Sequence, residues 1–438
     1  MTVGARRVGV AMLGNAVSPL ASFASAPLLT RVLGLEGRGD VASATSLLFL
    51  ATAVATFGLP QAVTWHTARN VRDVGASLTR ALLGLAVVGV IVSGLLIAFA
   101  PTVSVGGASV VTAMRLAALA LTPTLIATGL QAAAAGLHAW RLVTIDRSVT
   151  ATGRLVALLI LAGVGALDVV SATVVLALSP ALGALAYIGL PSAVRQRSRL
   201  PAQHLARDTI SDRKTAPVRS VHLLRFGLAA WAGSLSGVLL ARLDQALIAP
   251  LAGAEALGLY VVAVSVSDLP LVFTNAVRDV AFTSSSQGGD LERLASTARM
   301  TTLLSGILGT VVAVTAPWWL TLVFGSEFAG ATPVIAVLIV AMVLGNPGSL
   351  AGVGLSAAGH PGLRSVSLGI AAAVNVVGLI VLVPTLGALG AALATVAGNI
   401  VAGNTNILFL TRMTGVPKRA FYGTGIPELK GVIVAGRT

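Results

Sequence analysis

The sequence predicts an all-α polytopic membrane protein, with about twelve transmembrane helices in two membrane-embedded halves of six. Three observations carry that expectation. First, 56% of the 438 residues are hydrophobic and only 10% are charged, with a mean hydropathy of +0.93. A water-facing surface usually needs about 25% charged residues. Second, windows of 18 or more nearly uncharged residues recur along the chain, each long enough to cross a hydrocarbon core. Third, the stretch 194–225 carries Arg195, Arg197, Arg199, Arg207, Arg213, Lys214, Arg219 and Arg225 against only Asp208 and Asp212. A wet, basic linker between two apolar halves marks the cytoplasmic face.

The expected spans are 8–30, 41–63, 80–101, 110–135, 155–178 and 180–194 in the first half. In the second half they are 223–246, 256–277, 299–320, 332–355, 363–383 and 386–411. The first follows the basic start MTVGARR, but its apolar run is long for a signal peptide and similar segments follow it, so it is expected to be a retained helix. The 180–194 window is short for a core of about 30 Å. Alternation from a cytoplasmic N-terminus leaves only Arg31, Arg38 and Arg115 outside and Arg242 within a span, out of 29 Lys and Arg. That asymmetry obeys the positive-inside rule and supports counting the short window as a crossing. The expected organisation is an N-terminal lobe 1–194, a basic cytoplasmic linker 195–221, a C-terminal lobe 222–412 and a cytoplasmic tail 413–438. The location is the plasma membrane, with both termini cytoplasmic.

The formal net charge of +14 would suggest nucleic acid in a soluble chain. Here the basic residues lie between apolar windows, so anionic lipid headgroups are the expected partners and nucleic acid is not. The chain has no cysteine, which excludes thiol catalysis and disulfides. It has no Walker loop, no HExxH and no Gly-rich nucleotide turn after a strand. No enzyme activity, cofactor or metal is expected.

Spans such as GLAVVGVIVSGLLIAFA are rich in small residues, which let helix backbones approach closely. Pro19, Pro27, Pro60, Pro123 and Pro270 lie in or at the ends of spans. Each removes a backbone donor and favours kinked helices around a cavity. The halves also echo each other. Gly34, Glu36 and Gly39 stand between two apolar segments, as do Gly253, Glu255 and Gly258. Glycines permit a tight reversal there. An even number of spans separates the copies, so the repeats are expected to be parallel.

The informative residues are charges that hydrocarbon should reject. Asp168 is expected mid-helix in the fifth span and Asp268 mid-helix in the eighth, with Arg242 and Asp244 closing the seventh. Arg31, Arg115 and Arg225 are expected at helix ends. A guanidinium offers phosphate a planar fork that stays charged, so Arg31, Arg225, Arg242 and Arg115 are candidates for a phosphate-lined cavity. Asp244, Asp268 and Asp168 are candidates for coupling or gating. Arg242 and Asp244 can instead pair within the protein, and Arg31 can snorkel to headgroups. Gln61, Asn275 and Asn375 are expected as interhelical contacts, and Trp318 and Trp319 as part of an interfacial belt.

Several pieces carry a family resemblance: LLTRVLGLEGRGD, LATAVATFGLPQAVTWHTAR, LLRFGLAAWAGSLSGVLLARLDQALIAPLAGAEALGLY and LVFGSEFAGATPVIAVL. Over about 8–411 the chain resembles the polysaccharide-export and O-antigen flippases of the multidrug/oligosaccharidyl-lipid/polysaccharide exporter superfamily. The resemblance implies an alternating-access transporter, with two six-helix lobes and a central cavity, that moves a lipid-linked oligosaccharide or polysaccharide precursor from the inner to the outer leaflet. It implies a polyprenyl-diphosphate-linked glycan as substrate, and glycosyltransferases or a polymerase of the same pathway as partners. A cationic cavity of that family would fit Arg31, Arg225 and Arg242. Two departures stand out: Asp40 where an aromatic is usual, and an aromatic content of only 4%. The alternatives are a cation-coupled drug or metabolite exporter of the same superfamily and a non-transporting scaffold of a glycan-assembly complex.

Overall fold

A computed structural model describes residues 3–69, 74–104, 106–198, 220–271 and 291–423. The described residues form helices and no strand. The α-helices are α1 (Val3–Ala55), α2 (Leu59–Arg69), α3 (Val74–Val103), α4 (Ala108–Leu119), α5 (Leu121–Gly136), α6 (Trp140–Gly163) and α7 (Val169–Gly183). They continue as α8 (Leu190–Ser198), α9 (Ser220–Ser267), α10 (Leu291–Phe324), α11 (Ala331–Ala357) and α12 (Pro361–Thr414). Six helices among the described residues are long and apolar enough to cross a membrane, and up to eight if each of two bent pairs is one span. The chain is therefore a multi-pass membrane protein.

Three of these helices contain a sharp internal break, each at a glycine. Gly34 in α1 has φ 70°, Gly253 in α9 has φ 87° and Gly387 in α12 has φ 56°. An L side chain resists that region, so glycine lets each rod reverse without a loop. The expected kinks appear at two of the prolines. Pro60 follows the break between α1 and α2, where the pair bends by 52°, and Pro123 follows the 40° bend between α4 and α5. Pro270 lies in the turn after α9.

The fifth expected span is corrected. The segment 155–178 is not one span, because α6 ends at Gly163 and α7 begins only at Val169. Gly165, at φ 70°, turns the chain between them. The short 180–194 window belongs to the apolar stretch Val169–Arg195. The central linker 199–219 and the distal tail 424–438 lie outside the described residues.

By its contacts the chain divides into two compact units: Met1–Ala21 with Leu47–Leu235, and Ser22–Ser46 with Ser236–Thr438. In the first unit α3 turns Leu83, Val87, Val90, Ile91, Leu95 and Phe99 outward, each more than half exposed. That stripe suits lipid, since an aqueous surface rarely carries so large an apolar patch. Leu48, Leu85, Leu121, Leu125 and Ala177 are buried beneath it. Trp231, early in α9, donates to the Ala53 carbonyl at 3.1 Å and stacks on Phe57.

The second unit buries Ile248, Leu257, Tyr260, Leu320, Phe324, Phe328, Ile335, Leu379 and Val383 in one cluster. Helices α11 and α12 approach so closely that a Cβ on Gly348 would fall on the backbone of Gly403. After Gly415 ends α12 in a left-handed turn, the chain folds back and Phe421 is buried among Leu294, Ala298, Leu350, Leu355, Ile407 and Leu410. Tyr422 donates to Asn404 Oδ1 at 2.6 Å, and Arg299 donates to the Ala420 carbonyl. The first part of the expected tail is thus a clasp across α10, α11 and α12.

Candidate functional site

The second unit gathers the intramembrane charges around α9. Asp244 is 4% exposed. Its neighbour Gln245 donates its backbone N–H to Asp244 Oδ1 at 2.7 Å, and the Tyr260 hydroxyl donates to Oδ2. The Tyr260 and Thr395 hydroxyls are 3.2 Å apart. Tyr260 reaches Asp244 because Gly253 folds the two parts of α9 against each other. Arg242 is exposed and donates to Gln245 Oε1 at 3.4 Å, so Arg242 and Asp244 flank the same glutamine. Asp268 feels both Arg242 and Asp244 electrostatically.

Asn375 on α12 adds to this group. It is 1% exposed, and neither amide atom has a hydrogen-bond partner among the described residues. The backbone of Gly398 lies against it: a Cβ there would sit 3.2 Å from Asn375 Cβ and 3.2 Å from a Leu240 methyl. Leu240 precedes Asp244 by one helical turn and Thr395 precedes Gly398 by about one turn. A buried polar atom without a partner costs free energy, so the amide marks a place suited to water or an ion.

Two aspartates differ from their expected positions. Asp268 is not mid-helix. The helix ends at Ser267, Asp268 is exposed in the turn that follows, and Pro270 sits in the same turn. Asp168 is not mid-helix either. It caps the N-terminus of α7, accepting from the Ser171 backbone N–H at 2.7 Å while the Ser171 hydroxyl accepts from the Asp168 N–H at 2.9 Å. That reciprocal capping box satisfies helix-end donors. The hydrogen bonds from Ser171 hold the Asp168 carboxyl below the usual carboxylate range.

The candidate arginines separate. Arg31 is exposed, and its guanidinium donates to the carbonyls of Leu322 and, at 2.9 Å, Val323. Those carbonyls end α10, where a cation meets the negative end of the helix dipole. Arg115 is exposed on α4 in the first unit. Arg225 lies on α9, and its side chain is outside the described residues. Gln61 donates to Ser234 at 3.2 Å, the interhelical contact expected of it. Trp318 is 73% exposed, whereas Trp319 is partly buried against the main apolar cluster and donates to the Thr315 hydroxyl at 3.2 Å. Asn275 lies outside the described residues.

Sequence reasoning missed Asp146. It is 8% exposed on α6. Tyr187 donates to its Oδ2 at 2.7 Å, Gln131 to the same oxygen at 3.1 Å and Thr150 to Oδ1 at 3.4 Å. A Cβ on Gly183 would collide with Oδ1 and with the Thr150 hydroxyl, so the glycine is what lets α7 close over the acid. Among the described residues no group of three His, Asp or Glu could hold a metal ion.

Comparison with solved structures identifies the fold. Over 90% of this chain and 98% of the other, it superposes on an inward-facing multidrug resistance MATE family transporter of the MOP superfamily, at TM-score 0.66 and 15% identity. The lipid II flippase MurJ, in an inward closed conformation, gives 0.69 at 12% identity, covering 98% of this chain and 91% of that one. A MOP superfamily transporter from Pyrococcus furiosus gives 0.61 at 16%, with 95% of each chain covered. No curated protein sequence matches. The model of one sequence family, described as polysaccharide biosynthesis protein, matches residues 5–288, well over half of the chain. The chain belongs to that polysaccharide biosynthesis protein family.

Proposed function

We propose that the protein carries a lipid-linked oligosaccharide or polysaccharide precursor from the cytoplasmic to the outer leaflet by alternating access. The observation that carries the proposal is the family match over residues 5–288. In this reading the chain crosses the membrane twelve times. The glycine breaks in α1, α9 and α12 each divide a long helix into two crossings, and the bent pairs count as one crossing each. The halves 1–194 and 222–412 form two six-helix lobes around a central cavity. The basic linker 195–221, the tail 413–438 and both termini are cytoplasmic, as the Lys and Arg distribution requires.

The substrate is a polyprenyl-diphosphate-linked glycan. Its diphosphate must pass a low-dielectric layer while its tail stays in lipid. Arg242 suits that task best among the candidate arginines, because its guanidinium is exposed within a membrane helix and can grip phosphate in a bidentate fork. Asp244, with Tyr260, Thr395 and the unpartnered Asn375, serves as the coupling site, where a proton or small cation binds and leaves. Glycosyltransferases and a polymerase of the same pathway supply and consume the cargo.

Reconstitution in vesicles with a labelled polyprenyl-diphosphate sugar tests the proposal. The protein should speed exposure of the label on the far leaflet, and R242A should slow it by roughly tenfold at equal folded yield, the loss expected for one charge-assisted contact. Label exposure no faster than in empty vesicles would sink the proposal. The second reading, a cation-coupled exporter of small organic cations, is favoured by the Asp244 group. It requires transport that needs Asp244 and tolerates R242A.

A further inference from the structure

The two echoed loops do more than resemble each other. In the register that aligns Gly34 with Gly253, Leu35 corresponds to Ala254, Glu36 to Glu255 and Gly39 to Gly258. The first glycines share one backbone conformation, φ 70° and ψ −170° against φ 87° and ψ 171°. The last glycines share one environment, and each lies on the other loop. A Cβ on Gly39 would fall on the Ala254 carbonyl, and a Cβ on Gly258 would fall on the Leu35 carbonyl. Each loop therefore offers a carbonyl at its second position and receives the partner's carbonyl at its sixth. Such close backbone approach needs glycine on both sides, and its Cα–H···O contacts are individually weak.

We propose that these loops form a reciprocal glycine latch that holds the hairpin 22–46 against α9, and that this latch must open once in each transport cycle. The proposal rests on the alternating-access reading above. Three features distinguish a latch from a fixed core. The hairpin belongs in sequence to the first half, yet by contacts it is part of the second unit. It places only Ala26 and Ala42 fully in the main apolar cluster there, with Phe23 and Leu35 partly buried, and its other buried apolar side chains, Leu29, Val41 and Ala44, lie outside that cluster. Its polar contacts lie at the loop ends: Arg31 on the Leu322 and Val323 carbonyls, and Glu327 Oε2 accepting from the Leu35 N–H at 3.2 Å. Contacts of this kind exchange readily with water, whereas a packed apolar core does not.

The natural chain lacks cysteine, so single thiols report cleanly. A42C places one at a position now 4% exposed. G39A and G258A should each raise its labelling by a membrane-impermeant maleimide by about tenfold, because an inserted methyl at either contact favours the parted state. G94A should not, since nothing lies within 4 Å of that position. Unchanged labelling in both latch variants would overturn the proposal. A second experiment covers the case in which either variant fails to fold. Glu36 and Glu255 are exposed beside the latch, so E36C/E255C can be joined by a short, reducible bifunctional reagent without disturbing the packing. The joined protein should transport labelled polyprenyl-diphosphate sugar at less than about a tenth of the unjoined rate, with recovery on reduction. Failure of the thiols to join, or full transport while joined, would refute the latch. Absence of transport in the natural chain would instead refute the proposed function, and the A42C labelling would still judge the latch.

Discussion

Among the described residues each unit contains one buried aspartate paired with a tyrosine, and the two pairs are built differently. Asp146 is saturated. Tyr187, Gln131 and Thr150 all donate to it, and Gly183 lets a helix backbone close over it. Asp244 accepts from Tyr260 and a backbone N–H, but Arg242 and Asp268 nearby are exposed and Asn375 beyond it has no hydrogen-bond partner among the described residues. An acid whose donors are all protein groups fastens helices together. An acid whose surroundings retain exposed charge and an unmet amide can exchange its proton or an ion. Burial alone therefore does not separate a structural carboxylate from a working one; the satisfaction of its neighbours does.

Substitutions sharpen that contrast. The largest expected effect is on transport. D244N keeps the shape of the site and removes its exchangeable charge, so transport in vesicles should fall by tenfold or more, about 1.4 kcal/mol or more of barrier, with folded yield near normal. D146A should do the reverse. It strands the Tyr187 hydroxyl and the Gln131 amide, which costs about 3 kcal/mol of stability, read as a lower unfolding midpoint in detergent with transport per folded molecule retained. A D146A protein that folds normally but does not transport would reverse the roles of the two acids. G183A should cost about 2 kcal/mol by overpacking the same contact, visible in the same melt. D168A is the smallest, about 1 kcal/mol for a lost N-cap. The Asp168 carboxyl titrates below its ordinary value, so its cap stabilises the fold at neutral pH and loses that effect as pH falls through the depressed value. D168A and the natural chain should therefore converge in stability in acid.

The sequence made the apolar rods, the basic linker and the echoed loops visible, because hydropathy and glycine spacing are local properties. Asp146 stayed hidden for a physical reason. With Arg141, Arg147 and Arg154 close by, its stretch reads as a wet loop, and only the fold brings Gln131 and Tyr187 to neutralise the cost of burial. Asp168 was misplaced because Gly163 and Gly165 are ordinary inside membrane helices, so nothing local marked the end of α6. Arg31 was legible as a charge at a helix end. Its engagement with the end of α10 depends on residues 291 positions away, a distance that no local pattern spans.

The clasp at Phe421 has a consequence for biogenesis. Chains are made from the N-terminus, so α10, α11 and α12 all leave the ribosome before the aromatic ring that fills the space between them. Until that ring arrives, Leu294, Leu350 and Leu410 surround a void the size of a phenyl group. A reporter domain joined directly after Thr414 would leave that void permanently open, whereas one joined after Gly423 would let the last helices seal.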